Sequence, residues 1–280
     1  MPIAEKVAAA ARKLGLRLGV GAGRWAANEA YVDAAPSAQQ TIDLFKDDWA
    51  SRLPIPGTTS GEAGLFEDAR IRWLLERCPV NGFDILELGP LEAGHTKMLA
   101  DAGAASILAV EGNKSAYLKC LVVQQLLDLK QAKFELGDFD AWLETADRRF
   151  DLVLASGVLY HLADPLATLL DLTRVADRIF IWSHFADADA MPADDKRRRP
   201  FTGETRIAER DGERLTYHVR SYLGTQTRSN FCGGRESSAV WMESAEVVAL
   251  LERRGYRVEI GVAQPDHPSG PALCLYATSA

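Results

Sequence analysis

The sequence predicts an α/β fold: a mostly parallel, doubly wound sheet of seven strands with helices on both faces. Three observations predict it. From Asp84 onward, short apolar runs alternate with stretches of helical apolar spacing. Runs such as FDLVLA, Phe150 to Ala155, are apolar on both faces, as strands inside a parallel sheet are. The 280 residues, 47% hydrophobic and 25% charged, suffice for one α/β core with additions.

The elements follow in order. The first 20 residues are alanine-rich with helical character; Glu5 and interspersed basic residues favour a helix over a signal peptide. AQQTIDLFKDDWASRLP predicts a helix up to Arg52 that stops by Pro54. Glu62 to Arg77 predicts an amphipathic helix with Leu65, Phe66, Ala69, Trp73 and Leu74 on one face. Residues 1–80 thus read as a helical cap, with Phe45, Trp49 and Arg52 as candidate lid residues. Residues 81–280 read as the core. Its strands are predicted at 84–88, 107–110, 132–136, 150–155, 178–183, 256–262 and 272–278. Helices are predicted from Gly94, over 115–129, over 140–147, from Pro165 behind an Asp164 cap, and over 243–254 closed by Gly255. The last two strands have no helix between them and predict an antiparallel hairpin.

The turn after the first strand carries the chemistry. DILELGPLEAGHT places Glu87 at the strand end, then Gly89-Pro90, then Gly94 at a helix start. The second strand ends in Glu111, 22 residues after Gly89. This is the strand–turn–helix–strand–acid order of a Rossmann-like nucleoside site, where the acid accepts both hydroxyls of a ribose. A dinucleotide site needs a middle glycine for its pyrophosphate, and Leu91 stands there. A nucleoside cofactor without phosphate tolerates Leu91. S-adenosylmethionine (SAM) fits, and Glu87 suits its ammonium and sulfonium. An NAD oxidoreductase is disfavoured by the same leucine.

Through these motifs, residues 80–280 resemble the class I SAM-dependent methyltransferase family. ELGPLEAG resembles its first motif, Glu111 its ribose acid, Gly137-Asp138-Phe139 its adenine position, and FDLVLASGVLYHLADP its fourth-strand motif. The resemblance implies seven strands with the last antiparallel, SAM as cofactor and S-adenosylhomocysteine (SAH) as product. It implies that Glu87, Gly89, Pro90, Gly94, Glu111, Gly112 and Asn113 line the cofactor, that Asp138 bonds the adenine amino group beside Phe139, and that Ser156 and Gly157 line the methionine end. GVLYHLADP is also similar to wobble-uridine tRNA methyltransferase-like proteins that use a carboxylated SAM. Those carry basic residues after the histidine, where this chain has Leu162 and Ala163, which favours ordinary SAM.

Each candidate has a plainer reading beside it. Glu111 could be a solvated strand end and Asp138 only a helix cap. His161 and His184, both at the carboxyl edge, are candidate catalytic bases, since an imidazole pKa near 6.5 suits proton removal from a hydroxyl or amine; either could equally be structural. Tyr160, a candidate substrate residue, could pack over the cofactor or be a core aromatic.

The 185–241 connection is long enough to be functional. Two alternating runs joined by Asp211-Gly212 predict a hairpin within it, and Trp241-Met242 is read as leading into the following helix. Arg220, Tyr222, Asn230 and Arg235 are its candidate acceptor contacts. KRRR at 196–199 is read as a solvated loop.

The four scattered cysteines fit neither zinc nor a disulfide framework, and suit a reducing, cytoplasmic setting. No metal site is predicted. No apolar run approaches roughly 18 residues, so no membrane span is expected. A net charge of −7 gives no bulk attraction to nucleic acid. The reading favoured is an enzyme that methylates a small-molecule acceptor, a sugar or a secondary metabolite, at oxygen or nitrogen. RNA methylation and a non-catalytic SAM-binding module are the alternatives.

Overall fold

A computed structural model describes residues 31–225 and 233–280 of the chain. The predicted helix over the first 20 residues, Asn230 and Cys232 lie outside the described residues. The chain divides into two units, Met1–Ser37 and Ala38–Ala280, and the second holds both sheets and the helices packed on them.

Helices α1 (Ala38–Ile42) and α2 (Ala69–Arg77) precede strand β1 (Asp84–Leu88). Then follow α3 (Gly94–Asp101), β2 (Ser106–Glu111), α4 (Lys114–Leu127), β3 (Ala132–Leu136), α5 (Phe139–Thr145), β4 (Leu152–Ser156), α6 (Pro165–Val175) and β5 (Arg178–His184). An inserted sheet comprises β6 (Phe201–Arg210), β7 (Glu213–Ser221) and β8 (Ser238–Met242). Helix α7 (Ser244–Arg253) and strands β9 (Tyr256–Gln264) and β10 (Ala272–Ser279) complete the order.

The main sheet runs β3-β2-β1-β4-β5-β10-β9, with β10 antiparallel to both neighbours and the other neighbouring pairs parallel. Because strand side chains alternate, each strand feeds two cores. Leu86, Leu108, Val153 and Ile179 pack on one face with α6 and α7. Ile85, Ile107, Leu154 and Phe180 pack on the other with α2, α3 and α4. Strand order reverses between β1 and β4, which opens a crevice at their carboxyl ends.

The first predicted helix is shorter than expected: α1 stops at Ile42 and a 3₁₀ turn, Asp43–Phe45, follows before Asp47 turns left-handed at φ 66°. The 62–77 helix is also broken. A 3₁₀ turn, Leu65–Glu67, precedes α2, whose N-cap Asp68 accepts the Arg70 amide at 2.9 Å. Of the predicted apolar face, Phe66 and Leu74 are buried and Ala69 is exposed.

The Asp211-Gly212 hairpin forms as expected, both residues having positive φ (51° and 77°) as a type I′ turn requires. Residues 238–242 are a strand rather than the lead-in to a helix, and β8 completes a three-stranded antiparallel sheet. This sheet docks on α7: Arg253 and Arg254 both bond the buried Glu213 carboxylate. Asp164 holds the N-cap position of α6, yet its side chain makes no cap bond. Instead the Tyr217 hydroxyl, from β7, accepts the Leu166 amide at 2.8 Å and donates to Asp164 at 2.8 Å.

Candidate active site

A cleft of about 1000 Å³ opens at the point where the strand order reverses. Its floor is the β1–α3 turn. Gly89 (φ 62°) passes so close to Val158 that a Cβ would sit 2.7 Å from its methyl. Leu91 and Ala93 are also left-handed, at φ 54° and 59°, a conformation costing about 1–2 kcal/mol for a residue with a side chain. The turn is held in it from below. Glu92 is 1% exposed; its Oε1 accepts the Ala50 amide and the Lys119 ammonium at 2.9 and 3.0 Å, and its Oε2 accepts the Ser51 amide at 2.7 Å.

Glu111 projects into the cleft from β2. One oxygen accepts the Asn113 amide at 2.7 Å, the other the Leu91 amide at 3.1 Å, which fixes the direction of the carboxylate. Burial raises its pKa and these backbone donors oppose the rise. Gly112, Asn113, Asp138, Phe139, Ser156, Gly157, Pro90 and Gly94 also line the cleft. Asn113 caps α4 through the Ser115 and Ala116 amides. Asp138 caps α5 and is bridged by Arg235, which reaches from the insertion. The Ser156 hydroxyl is buried with no hydrogen-bond partner among the described residues. Paired acceptors at Glu111 and an orphaned hydroxyl at Ser156 suit a ribose-bearing cofactor with a polar tail.

Glu87 is not a lining residue. It is 2% exposed beneath the turn, where it accepts the Thr96 hydroxyl at 2.6 Å. Burial, with Glu111 nearby, pushes its pKa to about 7. His184 is also outside the cleft: its Nδ1 bonds the Gly270 carbonyl at 2.8 Å and its ring stacks on Trp241 at 5.0 Å. Burial lowers its pKa to about 4, and its position is that of a neutral packing residue rather than a base. Of the lid candidates, Phe45 and Trp49 are buried in the core, and neither they nor Arg52 line the cleft.

The other end of the cleft is aromatic. Tyr160 and Trp182 line it with edge-to-face rings 5.8 Å apart. His161 lines it as well, 4.1 Å from the Tyr160 ring. Burial first, then the Arg220 charge, lower the His161 pKa to about 3, so the ring is neutral. Tyr222 is buried; its hydroxyl accepts the Gly234 amide at 2.8 Å and lies 3.3 Å from His161 Nδ1. Gly234 presses on His161: a Cβ there would sit 2.0 Å from the His161 carbonyl oxygen.

Leu65, Arg70, His95 and Trp182 are cleft residues that the sequence reading missed. Asp68 joins two of them, bonding Arg70 through both carboxylate oxygens and His95 at 2.9 Å. Burial alone would raise its pKa, but His95 and Arg70 hold it well below the usual carboxylate range. Arg70 lies over the Trp182 ring at 4.0 Å. His95, beside the motif glycine Gly94, was within reach of the sequence; Arg70 carried no signal.

Residues 86–178, about a third of the chain, match the family model described as a methyltransferase domain. Over that stretch the chain carries a methyltransferase domain. Solved structures share the fold of this methyltransferase. The N-terminal domain of EvdMO1 with SAH bound is 24% identical, with 86% of this chain and 95% of that chain covered, at TM-score 0.62. The same domain in the presence of SAH and D-fucose gives 24% identity, 87% and 95% coverage, and 0.61. Magnesium protoporphyrin IX methyltransferase from Synechocystis PCC 6803 with bound SAH gives 17%, 76% and 81%, and 0.51. The methyltransferase spans 46% of whole EvdMO1. No curated protein sequence matches it. Among the described residues, no helix is long and apolar enough to cross a membrane, and no cluster could hold a metal ion.

Proposed function

We propose that this methyltransferase moves the methyl group of SAM onto an oxygen or nitrogen of a small-molecule acceptor, a sugar or a secondary metabolite. One observation carries the reading. A cleft of about 1000 Å³ stands at the switch point with an aromatic wall, the inserted sheet closing one side of it. That is the upper end of the roughly 300–1,000 Å³ usual for small-molecule sites, enough for a cofactor and a compact acceptor. The EvdMO1 domain studied with D-fucose supports a sugar-like acceptor.

SAM supplies an electrophilic methyl on a sulfonium. In this reading the Glu111 carboxylate receives the ribose hydroxyls, Asp138 and Phe139 hold the adenine, and Gly89, Pro90, Gly94, Gly112 and Asn113 shape the bed. Ser156 and Gly157 flank the methionine end, and Arg70 takes its carboxylate. Tyr160, Trp182 and His161 orient the acceptor. Alignment alone can supply about 7–11 kcal/mol in favourable cases, so no strong base is required. His161, neutral, accepts a hydrogen bond from the attacking group. The 185–241 insertion contributes Gly234 beside His161 on the acceptor side and Arg235 beside Asp138 at the adenine end, and the buried Cys78, Cys120 and Cys274 suit a cytoplasmic setting.

RNA methylation has weaker support. Of the KRRR run, Arg197 is not a free solvated cation: it bonds Asp195 and the Ala190 and Pro265 carbonyls, while Arg198 bonds the Met191 carbonyl. RNA affinity falling steeply with salt would favour that reading instead.

The test is calorimetric titration of the whole chain with SAM, SAH and NAD, beside Glu111→Ala. The expected result is binding of SAM and SAH at about micromolar Kd, lost in the variant, with none for NAD. Clear NAD binding without SAM binding would overturn the reading. SAM binding without turnover across an acceptor screen would favour a non-catalytic module.

A further inference from the structure

Against the Tyr160 ring, just outside the residues that line the cleft, lie Trp241 and Arg220. Arg220, on β7, places its guanidinium 5.0 Å from the centroid of the Trp241 ring. Among the described residues it makes no ion pair, and its buried Nε has no hydrogen-bond partner. The indole N–H of Trp241, a residue only 1% exposed, is likewise buried and unpartnered. The rings around them are Tyr160, Phe201 and His184; no carboxylate is among them. A half-buried cation with no counter-charge is costly, and two orphaned N–H groups side by side add to that cost.

We infer that Arg220 receives an oxyanion, carboxylate or phosphate, carried by the methyl acceptor. This rests on the methyltransferase reading above and narrows its substrate class to anionic small molecules. The guanidinium fork matches both anions in geometry and remains charged at any working pH. Acceptor charge and acceptor activation are then coupled. The Arg220 charge is one cause of the low basicity of His161. An anion on Arg220 offsets that charge, so a correctly charged acceptor strengthens the hydrogen bond its own nucleophile makes to His161.

The experiment loads the whole chain with SAH and titrates it with acetate and, separately, inorganic phosphate, following tryptophan fluorescence and heat. Wild type is compared with Arg220→Gln and Arg220→Lys. The expected result is saturable binding of one or both anions to SAH-loaded wild type, weakened about tenfold or more in Arg220→Gln and less in Arg220→Lys. Whichever anion binds more tightly identifies the group. SAH affinity stays within about twofold throughout, which also shows that the variants fold. Three results overturn the inference: no saturable anion binding to SAH-loaded wild type, anion binding unchanged in Arg220→Gln, or SAH affinity lost in Arg220→Gln and restored in Arg220→Lys. The last would assign Arg220 to the cofactor's own carboxylate. Failure of wild type to bind SAH at all would instead sink the methyltransferase reading.

Discussion

Two buried acids flank the cofactor turn and do opposite things. Glu92 is charge-paired with Lys119 and bonded to two amides, so it fixes the turn against residues 50–51. Glu92→Gln leaves the Lys119 ammonium buried without its partner and should cost about 3–5 kcal/mol in chemical denaturation. Glu87 has no cation. Its folded pKa of about 7 lies above the ordinary 4.5, so the folded state holds this proton more tightly than the unfolded chain does. Its stabilising contribution is complete below pH 4.5 and is lost as pH rises to 7, a change of about 3 kcal/mol. Glu87→Gln should remove that slope and leave the protein at least as stable as wild type at pH 8, as read from denaturation curves across pH. The place of Glu111 in the cleft was legible because strand, turn and acid recur at a fixed spacing. The inward burial of Glu87 was not, because a strand end shows equally well to cleft or core until the helix behind it is placed.

Elements were read best where period and punctuation agreed. Strands β1 to β5 and the Asp211-Gly212 hairpin were visible for that reason. Strand β8 was missed because SAVWM runs into α7 without a glycine or proline, so its apolar residues extend the helical pattern. The break before α2 was encoded by the Asp68 cap, an available signal that the apolar spacing of 62–77 obscured. The insertion meets the core at two places, and each can be tested. Gly234→Ala pushes a methyl into the His161 carbonyl, and its overpacking should cost about 1–3 kcal/mol, with faster amide exchange in β8 than in β1. Arg235 spans the cleft mouth to Asp138 on an exposed side chain. Arg235→Ala should release SAH measurably faster in stopped flow at low salt, and the difference should vanish near 1 M salt, where charges are screened within about 3 Å.

At the scale of the molecule, the inserted sheet and the main sheet share a seam of neutral imidazoles. His161 and His184 have folded pKa values of about 3 and 4, below the ordinary 6.5. Their contribution is complete above pH 6.5 and is lost as pH falls through 4 toward 3. Acid should therefore loosen the insertion first: amides of β6 to β8 should lose exchange protection at a higher pH than those of β1, β2 and β4. Uniform loss across both sheets would contradict this. The overall topology was legible because it follows from alternation alone, whereas the seam depends on contacts between residues 161, 184, 222 and 241, which no local pattern relates. The Tyr217 hydroxyl carries the point further. It starts a core helix from within the insertion, in place of an Asp164 cap bond. The inserted sheet is thus no detachable module: a chimera that exchanges residues 185–241 for another insertion inherits an uncapped α6 unless it supplies a hydroxyl at that place. Re-engineering the insertion in this scaffold means changing residues within the sheet, not transplanting it.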